Sequence, residues 1–383
     1  MTEPRDKTEL LVLGVHLDSE GYPNVRYRIR DFRKMPWLET TEINVPMWKA
    51  AARSRHSKHR FIPGLFRAVY AHLAVTVTYL LHGRSALVYV PYPSVFMGLV
   101  LGLLPRAIRP DRIVLDAFIS LHDTAVNDRK LLSPGSRVAI LLKRMEKKAY
   151  ELADLVIVDT PQNASFLCRE FSLPDAKVVS VPLSTDEQNF QRQPYLSNDD
   201  MCRVLFIGTF VPLHGVSAIL AAANRLSDCR NILFRIVGTG QTATEIEGVV
   251  NKGAANLEWI YTWQTSAALA DMIREADICL GIFGSGGKAQ RVCPFKLYTY
   301  AACGKAIITG DTDWVRHIEK DLSYKPFETV PVNDGAALAD RIRKLADSSD
   351  YRRQLAENSR RFYEEQLCNK IALSRLEALL CGL

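Results

Sequence analysis

The amino-acid sequence predicts an α/β protein made of two Rossmann-like, doubly wound domains facing each other across a cleft. Short apolar runs alternate with segments of helical period along most of the chain, the pattern of a parallel sheet covered by helices. A polar stretch at residues 191–202, Q-R-Q-P-Y-L-S-N-D-D-M-C, interrupts the alternation, which then restarts. Between Asp277 and Asp313 the chain reads as strand, glycine-rich basic turn, helix and strand, which is how such sheets build anion sites at the carboxyl ends of their strands.

The 383 residues suffice for two domains of ordinary size, and 48% hydrophobic with 24% charged residues is the composition of a soluble globular protein. None of the eight cysteines forms a C-x-x-C pair, and Cys279, Cys293 and Cys303 lie in apolar or helical segments. They read as reduced core thiols rather than as a disulfide frame or zinc site. The first ten residues carry no secretion-signal pattern, so a cytoplasmic protein is expected, peripheral on the inner membrane face if it meets lipid. Ser85 to Pro105 is uncharged over 21 residues, but Pro91, Pro93, Gly98 and Gly102 divide it into strand, turn and short helix. A spanning helix needs about 20 unbroken apolar residues.

In the first half, Leu10 to Val15 is a predicted strand whose Gly14 leads into a loop reaching G-Y-P-N at Gly21–Asn24, a candidate active-site loop containing Asn24. Arg112 to Leu115 is a strand followed by D-A-F-I-S-L-H-D-T, and Ser133 to Leu152 has apolar residues at helical spacing. Leu155–Val158, Pro161–Phe171 and Val178–Val181 follow as strand, helix and strand. Charge is unevenly placed. Residues 21–110 hold fourteen Lys and Arg against three acids, an excess above the whole-chain net charge of +7. Within residues 26–81 these cations stand beside Phe61, Ile62, Leu65, Phe66 and Tyr70, as in an anchor lying on an anionic membrane surface. A solvated basic face is the plainer reading. Nucleic acid is disfavoured as a partner, since no helix-turn-helix, RNP or zinc pattern accompanies the charge.

In the second half, Val204–Ile207 is a strand that runs into G-T-F-V-P-L-H-G, Gly208 to Gly215, ahead of a helix from Val216 to Leu226. Ile232–Val237 runs into G-T-G-Q with Gly238 and Gly240, a weak glycine signal alone. Leu257–Ile260 and Ser266–Glu275 are strand and helix, and Trp263 between them suits either base stacking or core filling. The run Ile278–Phe283 then opens the glycine-rich turn of Gly284, Ser285, Gly286 and Gly287. Lys288, Arg291 and Lys296, three cations in nine residues, suit a diphosphate; a solvated basic loop is the alternative. A helix from Pro294 closes at Gly304, Ala306–Thr309 begins the next strand, and Tyr351–Leu380 reads as helical.

Several of these motifs together resemble a bacterial subgroup of the GT-B glycosyltransferases of family 4, the retaining nucleotide-sugar transferases. They are F-I-G-T-F-V-P-L-H-G, L-G-I-F-G with K-A-Q-R-V-C-P-F-K-L-Y, and G-K-A-I-I-T-G-D-T in the second half. The first half adds G-Y-P-N-V-R-Y-R-I-R, D-A-F-I-S-L-H-D-T and L-V-I-V-D-T-P, so the likeness covers about residues 10–380. It implies a GT-B fold with an acceptor-binding domain over residues 1–190 and a donor-binding domain over 200–360. Residues 361–383 would then form a helix packing back on the first domain. It also implies a UDP- or GDP-linked sugar donor as substrate, no other cofactor, and a saccharide or lipid-linked acceptor.

By that resemblance the donor is held by Gly208, Thr209, His214, Gly215, Gly238, Gly240, Trp263, Gly284, Ser285, Lys288, Arg291, Lys296 and Thr299. Asp116, His122 and Asp123 are the catalytic, acceptor-side candidates, with Gly14 and Asn24 in the acceptor-side loop; Asp128 and Arg129 read as a structural pair. Thr209 and His214, which the subgroup itself shares, stand where most family members carry Arg and Lys, whereas Thr299 replaces the family's Glu and Phe295 the subgroup's usual Asn. Because of these last two changes, a GT-B scaffold that has lost transfer and serves as a partner subunit is the competing expectation. Asp311-Thr312-Asp313 could be mistaken for a metal-binding Asp-x-Asp, but its place after a strand reads as a helix N-cap, and no metal is expected.

Overall fold

The structure, a computed structural model, describes residues 7–16, 23–45, 61–192, 201–251, 253–262 and 264–383, without the side chains of 61–65. The chain divides into two compact units: residues 1–126, 130–182 and 373–383, and residues 127–129 and 183–372.

Unit 1 contains β1 (Thr8–Gly14), α1 (Asn24–Arg33), β2 (Leu38–Asn44), α2 (Phe61–His82), β3 (Leu87–Val90) and α3 (Val95–Leu103). It continues with β4 (Arg112–Phe118), the single turn α4 (Leu121–Asp123), α5 (Arg137–Leu152), β5 (Leu155–Val158), α6 (Pro161–Phe171) and β6 (Val178–Ser180). The strands pair in parallel in the order β2-β1-β3-β4-β5-β6. Both faces are buried at the middle of the sheet, so β3 and β5 are apolar throughout, while the edge strand β2, L-E-T-T-E-I-N, is largely polar. Leu11, Leu13, Val88 and Leu115 pack with residues of α2, α3, α5 and α6 on one face. Leu10, Val12, Tyr89 and Val114 pack on the other with α1, Leu376 and Leu380.

Unit 2 contains β7 (Cys202–Ile207), α7 (Val216–Arg225), β8 (Ile232–Val237), α8 (Ala243–Val250), β9 (Leu257–Ile260), α9 (Ser266–Glu275) and β10 (Ile278–Leu280). After these come α10 (Gly287–Arg291), α11 (Phe295–Ala302), β11 (Ala306–Gly310), α12 (Asp313–Lys320), β12 (Glu328–Val330), α13 (Gly335–Ala346) and α14 (Ser349–Phe362). The last helix, α15 (Asn369–Cys381), begins in unit 2 and lies in unit 1 from Leu373. The parallel order β12-β11-β10-β7-β8-β9 is the Rossmann order, with the chain reversing direction across the sheet between β7 and β10.

Three segments differ from expectation. The glycine-rich turn after β10 holds a short helix, α10, where the sequence reads as loop. Tyr351–Leu380 is two helices parted by a π turn at Tyr363–Leu367, with Cys368 extended. Tyr363 and Asn369 are tied there to residues 185–187: Asn369 Oδ1 accepts from Thr185 N at 2.7 Å, and Tyr363 donates to Glu187 at 2.7 Å. Of the polar stretch 191–202, residues 193–200 lie outside the described residues and Cys202 already belongs to β7.

Candidate functional site

In an open parallel sheet, ligands bind beyond the carboxyl ends of the strands where the strand order reverses. In unit 2 that point is flanked by two loops, Gly208–Gly215 after β7 and Gly281–Gly286 after β10. They meet backbone to backbone, with Phe283 N donating to His214 O and Gly284 N to Leu213 O, each at 3.1 Å. Gly215 allows this approach. Its φ is +62°, and a Cβ there would lie 2.6 Å from the carbonyl carbon of Phe283. Gly238, after β8, has φ +121° and leaves no room for a Cβ, which would fall 2.0 Å from Gly208 O.

Three predicted residues converge on this floor. A Cβ at Gly208 would sit 2.9 Å from His214 Nδ1 and 3.0 Å from Lys296 Nζ, so the lack of a side chain there lets both nitrogens close in on the backbone of Gly208. Lys296, in the first turn of α11, places Nζ 3.9 Å from the centroid of the Phe206 ring. His214 meets the same ring edge-on. Both side chains are buried, and neither Nζ nor Nδ1 has a hydrogen-bond partner among the described residues. Burial pushes the Lys296 ammonium well below its ordinary pKa. Burial does the same to His214, helped by the positive charges of Lys296, Lys288 and Arg129. Two nitrogens without partners, held where charge is poorly solvated, form a site that an anion would complete.

The other basic residues are placed differently. Lys288 is buried on α10 and paired with Asp128, Nζ to Oδ2 at 3.2 Å. Asp128, expected to pair with Arg129, is paired with Lys288, and the carbonyl of Arg129 accepts from Gln241 Nε2 at 3.2 Å. Arg291 is half-buried and folds back toward Gly287, whose Cβ would meet its Nη1 at 3.1 Å. Thr299 is buried and turned into its own helix, donating to Lys296 O at 2.9 Å. Ser285 is exposed, and its hydroxyl accepts from Asn333 Nδ2 at 2.8 Å. Thr209 is half-buried beside Gly208, Gly240 is exposed against Phe210 O, and Trp263 lies outside the described residues. Sequence reasoning missed Phe206, which lies under Lys296, and Tyr300, whose hydroxyl accepts from Ile207 N at 2.9 Å and ties α11 to the end of β7. At the Asp311-Thr312-Asp313 turn, Thr312 caps α12 by accepting from Val315 N at 3.3 Å, and Arg316 pairs with both aspartates.

In unit 1 the acceptor-side candidates sit after β4. Asp116 is buried and both its oxygens are engaged, one by the Tyr89 hydroxyl and the other by Phe118 N at 2.9 Å, where the β4–β5 register slips. Burial raises its pKa, opposed by the Arg28 guanidinium. His122 and Asp123 lie on α4, whose start is held by Glu146 of α5. That carboxylate accepts from Leu121 N at 2.7 Å, His122 N at 3.1 Å, Ser120 Oγ at 2.9 Å and the Tyr150 hydroxyl at 2.7 Å. His122 is half-buried, and burial together with Lys143 lowers its pKa. Glu146 is fully buried and its own pKa is raised by burial. In the sequence it looked like one polar residue within an amphipathic helix. Gly14 ends β1 and Asn24 begins α1 with its Oδ1 buried and unpartnered among the described residues. His16, unremarked in the sequence, is buried with Nε2 3.3 Å from Glu42 and 3.2 Å from Asn44 Nδ2. Those two partners alternate on one side of β2, the period-2 cue that could have revealed them.

Comparison with known proteins accords with this geometry. Residues 187–362 match the family described as glycosyl transferases group 1. A search of curated proteins gave no match. Among solved structures, sucrose-phosphate synthase from Thermosynechococcus elongatus is similar over 99% of each chain, with 16% identity and a TM-score of 0.73. The catalytic domain of starch synthase IV from Arabidopsis thaliana, bound to ADP and acarbose, is similar over 98% of this chain and 99% of its own, with 11% identity and a TM-score of 0.70. HepE of Anabaena in complex with UDP-glucose is similar over 98% of this chain and all of its own, with 11% identity and a TM-score of 0.68. The chain has the GT-B fold, and the family match to unit 2 supports a GT-B glycosyltransferase.

Proposed function

We propose that the protein is a retaining, metal-independent glycosyltransferase that moves a sugar from a nucleotide-sugar donor to a saccharide acceptor, free or lipid-linked. One observation carries the reading: Lys296 Nζ and His214 Nδ1, both buried and without a hydrogen-bond partner among the described residues, converge beside Gly208, 3.0 and 2.9 Å from where a Cβ on that glycine would stand. A diphosphate there supplies the charge both nitrogens lack, and the nearby glycine loops bring backbone amides close to it. Solved structures of the same fold hold UDP-glucose, in HepE, and ADP, in starch synthase IV, which by analogy favours a nucleoside diphosphate.

In the transfer, the bond from the sugar's anomeric carbon to the diphosphate oxygen breaks and a bond to the acceptor hydroxyl oxygen forms on the same face. The acceptor's proton passes to an oxygen of the leaving diphosphate. Lys296 and the loop amides stabilise the charge that gathers on that group, while neutral His214 hydrogen-bonds to it. His122 and Asp123 are assigned to the acceptor. Asp116 acts through them by holding the end of β4.

Titration calorimetry with UDP and GDP tests the site: a nucleoside diphosphate binds the native chain, and Lys296→Ala abolishes the heat. Equal affinity in the variant refutes the assignment. A donor panel scored by diphosphate release then identifies the sugar. A scaffold that no longer transfers sugar is the second reading, favoured by Thr299, whose hydroxyl is spent on its own helix where the resemblance places a ribose-binding glutamate. Absence of a thermal shift with any nucleoside diphosphate selects that alternative.

A further inference from the structure

The outward side of α2 is apolar. At about 100° per residue, Phe66, Val69, Tyr70, Leu73, Val77 and Leu81 fall within an arc of about 120°. That arc points away from Ala71, Val75 and Tyr79, which are buried in the core of unit 1. Each of the six is at least 51% exposed. The stripe runs about 22 Å along the helix, and Phe96 of α3 stands beside it, its ring edge-on to His72 of α2 at 5.8 Å. Soluble monomers rarely leave so continuous an apolar strip uncovered.

The surrounding charge indicates what covers it. From Ile43 to Pro110, 68 residues, the sequence has no Asp or Glu and nine Lys or Arg. Arg67 is exposed on α2 at the edge of the stripe. A second copy of the chain would bring the same cations against these and be repelled, whereas an anionic surface would be attracted. No described helix is long and apolar enough to cross a membrane, and the opposite side of α2 is committed to the protein core, so α2 cannot be surrounded by lipid. An apolar face with Arg67 at its edge, in a stretch of sequence rich in cations and without acids, on a helix fixed to a folded unit, suits the boundary between headgroups and acyl chains.

We propose that α2 docks unit 1 onto an anionic lipid bilayer, with the stripe from Phe66 to Leu81 entering the acyl boundary and Arg67, with the cations that flank α2 in sequence, meeting lipid phosphates. The proposal is independent of the transferase reading and is tested without turnover. The full chain is sedimented with vesicles of phosphatidylcholine alone and with vesicles that also contain phosphatidylglycerol. Binding is expected about tenfold tighter to the mixed vesicles. Leu73→Glu with Val77→Glu should weaken it at least about tenfold while leaving the melting curve unchanged, since both side chains point to solvent. Leu73→Trp should tighten it severalfold, a gain that misfolding cannot mimic. The proposal is overturned by equal binding to both vesicle types or by indifference to both variants. It is also overturned by a solution dimer that the double glutamate variant dissolves, which would mean that a second copy covers the stripe.

Discussion

Lys288 and Asp128 form an ion pair of 3.2 Å in which both side chains are buried. Breaking such a pair leaves one uncompensated charge out of water, so Asp128→Asn should destabilise the protein by about 3 kcal/mol. Replacing both partners, Asp128→Leu with Lys288→Met, should recover most of that loss. Denaturant unfolding of the three variants measures the difference. A single variant as stable as the native chain would mean that solvent reaches the pair.

Lys296 is the reverse case, a buried cation without a partner among the described residues. Its pKa in the folded chain is depressed, so folding favours the neutral amine. The cost of holding it therefore appears as pH falls below the unfolded value of about 10.4 and levels off below the folded one. Lys296→Met should accordingly raise stability at neutral pH by about 1–2 kcal/mol and remove that alkaline dependence, while nucleoside-diphosphate binding is lost. In the native chain, diphosphate binding should take up protons, seen as a heat that changes with the ionisation enthalpy of the buffer.

His214 gives an acid-side signature. Burial and three neighbouring cations depress its pKa, so the folded state binds fewer protons than the unfolded. Stability contributed by neutral His214 is complete above about pH 6.5 and falls as pH drops toward the folded pKa, by up to about 1.4 kcal/mol per unit. His214→Gln should flatten that slope in urea unfolding measured from pH 7 to pH 5.

At Gly208 the prediction concerns space. A methyl there would lie 2.8 Å from His214 Cε1 and 3.0 Å from Lys296 Nζ. Gly208→Ala should reduce diphosphate affinity by at least about tenfold, since the methyl would displace the His214 and Lys296 nitrogens assigned to the ligand, at a stability cost of about 1–2 kcal/mol. Calorimetric titration checks the affinity and thermal unfolding the cost.

Glu146 accepts four hydrogen bonds with one carboxylate, two from backbone amides at the start of α4. In Glu146→Gln an amide NH₂ would face donors, costing about 2 kcal/mol and loosening the turn that carries His122. Amide exchange at Leu121 and His122 should speed up in that variant more than exchange in β4.

The architecture was legible because its signals are local. Ile232–Val237, Leu257–Ile260 and Ser266–Glu275 have the boundaries expected of them, since short, mostly apolar runs alternating with a segment of helical period are read along the chain. The convergence of Gly208, His214 and Lys296 was legible in part, as glycines and cations at loop positions. Which cation stays without a partner was not. Lys288 and Lys296 look alike in sequence, and only the folding of Asp128, 160 residues away, against one of them separates their surroundings. Glu146 was hidden for a similar reason, because its four donors lie a turn or more from it along the chain. The short helix α10 escaped notice because its two leading glycines argue for a turn, and five residues are too few to show a period.

The paired hydrogen bonds from Phe283 and Gly284 to His214 and Leu213 lace two turns into a miniature ladder beyond the end of the sheet. Turns usually give up their amide hydrogens early, yet these protons should persist in heavy water about as long as those of β7 and β10 themselves. A nucleotide arriving at Gly208 would then meet a platform already set, with little ordering left to be done as it lands.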